Sequence, residues 1–180
     1  MDIVVATAII KPTPLEIFLP PASLNGESGS NRAATTITKQ IDADNDLQAI
    51  QTWLLEFMHS PQTLRTYRKE AERLLLWAVI EKRKPFSSLS RDDLRDYELF
   101  LSDPQPRQNW CGLRRPRNHL NWRPFKGPLS QDSIAHAITI INALFNYLFR
   151  FVYFTLLTSF LCDLIGQYRN LCIRMDYRPK

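Results

Sequence analysis

The densest group of side chains able to do chemistry lies between Pro104 and Leu129. Arg107, Arg114, Arg115, Arg117, Arg123 and Lys126 occur there without one Asp or Glu, and Trp110 and Trp122 are interleaved among them. Guanidinium forks bind phosphate oxygens bidentately, and aromatic rings can pack on sugar or base. A stretch without acids cannot neutralise itself, so an anion from outside is expected. The alternative is a solubilising loop whose tryptophans pack on the body of the protein.

Two further sets point the same way. Arg65, Lys69 and Arg73 stand four residues apart, with Arg68 beside them, so on a helix they form one cationic side. Their rise of about 6 Å per turn suits successive phosphates. A solvated face paired with Glu70, Glu72 and Glu81 is the competing reading. Ser130, Gln131 and Ser133 stand at the start of a later apolar-periodic segment. Exposed N–H groups at a helix start favour phosphate, and short polar side chains there reach base edges. Ser130 as a plain cap explains the same residues.

Enzyme constellations are poor. His59, His119 and His136 are scattered, and Cys111 with His119 falls short of a metal ligand set, so no metal and no cofactor are expected. Gly26-Glu27-Ser28-Gly29 lacks the spacing of a nucleophile elbow, and neither a P-loop nor GxGxxG occurs. No small-molecule substrate is expected. Cys111, Cys162 and Cys172 are odd in number and have no CxxC spacing, which excludes a disulfide framework and makes a reducing cytoplasm the default. Residues 1–10 are apolar, but Asp2 stands where a secretory signal carries basic residues. A net charge of +5 favours an anionic partner such as nucleic acid or a membrane surface.

The elements that must position these side chains are helical. With 44% hydrophobic and 23% charged residues, the chain is not disordered throughout. Residues 1–45, with Pro12, Pro14, Pro20, Pro21, Gly26 and Gly29, show no period and read as an extended, disordered arm. A first helix is expected over about 46–58, capped by Asn45 or Asp46. A second is expected from Pro61 to about Lys82, with Leu64, Tyr67, Ala71, Leu74 and Ala78 as its buried stripe. A third begins at Ser90, where Asp93 completes a variant capping box, and stops at Asp103-Pro104. A long loop follows over 103–129. A fourth helix begins at Ser130, with Ile134, Ile138, Ile141, Phe145 and Leu148 as its stripe. No strand is expected in the ordered part, so the fold class is all-α, an orthogonal bundle of four helices. After Arg150 the run FVYFTLLTSFLCDLI is apolar on every side, an atypical tail over 151–180. A membrane-associated protein anchored through about 143–161 is therefore the alternative function, disfavoured by Arg150 inside the span, at about 2.5–3.5 kcal/mol.

The segment from Ser60 to Pro104 resembles the core-binding domain of tyrosine recombinases, the phage-integrase family. Thr63, Tyr67, Trp77 and Leu89-Ser90-Arg91-Asp92-Asp93-Leu94 stand where that domain has Thr, Tyr four residues on, an aromatic-rich helix end and its L-(S/T)-x-x-D-L motif. GPLSQDSIAHAITIINALFNYLF resembles its fourth helix, and SNRAATTITKQIDADNDLQAIQTWL its lead-in. The resemblance covers roughly residues 22–150, and implies a SAM-like four-helix core-binding domain over 46–150. It also implies half of a clamp that closes on duplex DNA, with Thr63, Arg65, Arg68, Lys69, Arg73, Ser130, Gln131 and Ser133 as contacts. Arg114, Arg115, Arg117 and Lys126 are added on composition alone. The family's catalytic half supplies an Arg, a Lys, a His-x-x-Arg, a second His or Trp and a Tyr nucleophile. None of that set is found here, and Tyr177 has no such partners. The family's G-Y-L-x-x-N-P linker is missing after the fourth helix as well. The resemblance implies a truncated recombinase that binds double-stranded DNA without cleaving it, and the change of character near residue 150 suggests a frameshift. An intact recombinase protomer is the second candidate partner.

Overall fold

A computed structural model describes residues 11–33, 40–151 and 153. It is all-helical: α1 Asp46–Leu55, α2 Pro61–Ile80, α3 Arg91–Ser102, α4 Arg107–Trp110 and α5 Gln131–Arg150, with 3-10 turns at Ala22–Leu24 and Phe86–Ser88. Among the described residues there is no strand, and an isolated bridge pairs Cys111 with Phe125.

The helix starts follow from their caps. The Asn45 side chain accepts from the Gln48 amide at 2.9 Å and starts α1. Pro61 occupies the first turn of α2, where a missing N–H is not felt. Ser90 and Asp93 form the reciprocal capping box expected for α3. Asp93 also receives Lys84 at 2.9 Å and Lys82 at 3.2 Å, tying the end of α2 to the start of α3. Ser130 caps α5 by accepting from the Ser133 amide.

The packing is centred on α2 and α5, with α1 packed on both and α3 on α5. Trp53 of α1 stacks on Tyr67 of α2 at 5.3 Å, and Phe57 meets the same ring edge-on at 4.5 Å. Phe86 stacks on Phe145 of α5 at 5.1 Å. The predicted stripes of α2 and α5 are in the core: Ala71, Leu74, Ala78, Ile134, Ile138, Ile141, Phe145 and Leu148 are all buried. Leu64 and Tyr67, in the first turns of α2, are partly buried against it.

The arm is not the extended, disordered segment its composition suggests. Its described part, 11–33 and 40–45, is folded against the helices, and Leu15, Phe18, Ile41 and Ala43 are buried. Gly26 adopts a φ of +88°, and a Cβ there would lie 2.0 Å from the Asp46 carboxyl carbon. A Cβ at Gly29 would lie 1.8 Å from the Ser87 hydroxyl. These glycines are sites of close backbone approach, a use of glycine that the loop-like composition concealed. Asp46, beside Gly26, is 1% exposed. Its Oδ2 accepts from the Ser87 amide at 2.9 Å and hydroxyl at 3.0 Å, and its Oδ1 accepts from the Tyr153 hydroxyl at 3.0 Å. Arg32 stacks on the Tyr153 ring and bonds its hydroxyl. Tyr153 thus belongs to the core, beyond the boundary at residue 150 read from the sequence. The remaining tail from 154 and the predicted arm residues 1–10 and 34–39 lie outside the described residues.

Candidate nucleic-acid interface

The 103–129 segment is anchored at its neck. The Phe125 amide donates to the Trp110 carbonyl at 3.1 Å, the Gly112 amide donates to the Phe125 carbonyl at 3.0 Å, and Leu129 bonds back to Leu101. Trp110 is fully buried, its Nε1 donates to Glu81 at 2.6 Å, and its ring meets Phe100 edge-on at 5.0 Å. Trp122 is also buried. The tryptophans therefore fasten the loop to the helices, the alternative that composition left open, and neither offers a free face for base stacking.

Fastening the loop builds a groove of about 900 Å³ against the first half of α2. Eight basic side chains line it and Glu72 is its one acid. Arg65 and Lys69 come from α2; Arg114, Arg115, Arg117, Arg123 and Lys126 come from the loop; Arg73 lies at its floor. Residues 49 positions apart, Arg65 and Arg114, thus face one depression.

The charge is not all available. Arg73 is 7% exposed and points inward. Its Nη1 donates to Glu70 at 3.1 Å, its Nε and Nη2 donate to the Pro124 carbonyl at 3.0 and 2.9 Å, and its guanidinium lies 4.2 Å from the Phe125 ring centre. The expectation that Arg73 contacts DNA is corrected on this ground: it is a loop anchor. Its 65-69-73 spacing is helical, but α2 passes beneath the loop and every residue from Glu70 to Ile80 is buried. Lys69, half exposed, pairs with Glu70 at 2.9 Å. Arg68 pairs with Glu16 at 2.9 Å at the rim of the groove and lines a neighbouring depression with Leu54, Leu55 and Met58. Arg117 is clasped by Glu16 and Glu72. Among the described residues Arg65, Arg114, Arg115, Arg123 and Lys126 have no carboxylate partner; Arg123 donates to the Gln108 and Trp122 carbonyls and keeps its charge for the groove.

The electrostatics match this division. Burial pushes the Glu72 carboxyl up, against the hydrogen bond and charge of Arg117 and the Leu15 amide. Burial also raises the Glu16 carboxyl, but Arg117 and Arg68 outweigh it and hold that group below its ordinary value. Arg117, between the two acids, is raised despite burial.

The other predicted contacts lie elsewhere. Thr63, partly exposed on the first turn of α2, bonds its hydroxyl to Ser60 at 2.7 Å. Ser130 donates its hydroxyl to Ser133 at 3.0 Å, and Gln131 is exposed beside them. Ser133 shares a shallow depression with Lys69, Asp132 and His136, continuous with the groove through Lys69 and Arg73. The sequence reading missed Glu16, and offered Glu72 only as a partner for the cations of its own helix rather than for Arg117 of the loop. The only available signal was an acid beside an apolar residue in a proline-rich segment, which does not reveal its partner. Among the described residues no three of His, Cys, Asp and Glu converge as a metal site, and no helix is long and apolar enough to cross a membrane. Comparison with protein-family models, curated proteins and solved structures finds no match for this chain.

Proposed function

We propose that this protein binds double-stranded DNA through the groove between α2 and the arginine loop, as a recombinase-type core-binding module without strand-cleaving activity of its own. The observation that carries the reading is the convergence of Arg65, Arg114, Arg115, Arg123 and Lys126 on one groove with no carboxylate to neutralise them. Phosphate diesters are the abundant polyanion such a row suits, and contacts of this kind position a protein on a duplex without specifying bases. Ser130, Gln131 and Ser133 at the start of α5 extend the same surface through Lys69. The sharing of one core by α1, α2, α3 and α5 supports the finer assignment to an orthogonal, SAM-like bundle of four helices.

A fluorescence-anisotropy titration with a labelled duplex at low salt tests the proposal. Binding in the range ~10⁻⁴–10⁻⁶ M is expected, as for non-specific phosphate contacts. The combined variant Arg65→Ala/Arg114→Ala/Arg115→Ala should lose most of it while melting at the wild-type temperature. A folded wild-type sample that does not bind removes the reading.

A further inference from the structure

The N-terminal segment delivers one acid to the rim of the groove. Leu15 is buried and its amide donates to Glu72 at 2.7 Å, which fixes the position of the next residue. Glu16 then reaches in two directions. Its Oε1 accepts from Arg68 at 2.9 Å, and its Oε2 accepts from Arg117 Nε at 3.1 Å and Nη2 at 2.6 Å. Glu72 grips the same guanidinium from inside.

The two acids differ in exposure. The Glu72 side chain is 1% exposed, and that of Glu16 is 48% exposed. Arg68 and Arg117 are 33% and 39% exposed on their side chains. A buried pair is costly to break, whereas exposed pairs contribute little net energy and exchange readily. A phosphate diester presents the same single charge and the same accepting oxygens as the Glu16 carboxylate. It can therefore take that carboxylate's place on both cations without disturbing Glu72.

We propose that Glu16 is a built-in phosphate mimic, and that the N-terminal segment holds Arg68 and Arg117 in an autoinhibited state until DNA phosphates displace it. The inference rests on the DNA-binding reading above. It explains why an otherwise acid-free loop meets an acid supplied by a segment 101 positions away.

Duplex titrations of wild type, Glu16→Gln, Arg68→Ala and the double variant test it, with Glu27→Gln as a control for charge alone, since Glu27 is an exposed acid of the same segment. Glu16→Gln should tighten binding roughly three- to tenfold at low salt, as one or two added phosphate contacts would. Arg68→Ala should change wild-type affinity less than about twofold, but cancel much of the gain in the Glu16→Gln background. Wild-type binding with no tightening in Glu16→Gln overturns the gate and leaves the groove standing. Equal tightening by Glu27→Gln also overturns it, since net charge then accounts for the effect. Absence of binding in every variant removes groove and gate together.

Discussion

At the scale of single residues, Arg65 and Arg73 are the same side chain two helical turns apart, with opposite work to do. Arg65 is exposed on the groove, and Arg73 is inside, holding Glu70 and the Pro124 carbonyl. Arg73→Ala removes the buried partner of Glu70, leaves it only the half-exposed Lys69 and unlatches the loop, so it should cost about 3 kcal/mol of stability, seen as a lowered melting temperature. Arg65→Ala should melt within about 0.5 kcal/mol of wild type and weaken duplex binding instead. Equal loss of stability in both would contradict the division. Helical spacing placed these arginines on one side correctly. It could not show that the side is covered from residue 70 onward, because the cover is a loop 50 residues later in the chain.

At the scale of elements, the arm is the part least legible from sequence. Prolines and glycines give it the composition of a linker, yet Gly26 is what lets its backbone reach Asp46. Gly26→Ala, with a positive φ and no room for a Cβ, should destabilise the protein by more than about 1 kcal/mol in denaturant titration. Asp46 adds a pH signature. Burial, against hydrogen bonds from Ser87 and Tyr153, pushes its carboxyl up to about 6 from an ordinary 3.8. The folded state therefore binds the proton more tightly than the unfolded chain. That stabilisation is complete below about pH 4 and is lost as pH rises through about 6. Asp93 acts in the opposite sense. Despite the opposing effect of burial, Lys84 and the Ser90 amide and hydroxyl hold its carboxyl well below the usual range, so its contribution is present above about pH 4 and lost in stronger acid. The melting temperature should decline between about pH 4 and 7, and Asp46→Asn should flatten that decline whatever its effect on the absolute value. An unchanged slope would show that Asp46 does not titrate there. By contrast, α3 was readable nearly to the residue, because Ser90, Asp93 and Leu94 are local signals that need no partner from elsewhere.

For the whole molecule, the loop and α2 together determine how strongly salt should act. Five groove cations lack an internal carboxylate, so while Glu16 stays on Arg68 and Arg117 the slope of log Kobs against log[salt] should be no steeper than about −4.5. A steeper slope would mean that Lys69, Arg117 or Arg68 also surrender their partners. Single-stranded DNA should gain nothing over duplex, since the aromatic rings that would stack on bases are spent inside. That same arrangement has an optical consequence. All four tryptophans, Trp53, Trp77, Trp110 and Trp122, are shielded from water, so the native emission should lie to the blue and shift red on unfolding. Trp122 also lines the groove beside Arg117, 5.5 Å from that guanidinium, so a ligand settling there should perturb its fluorescence without any dye attached.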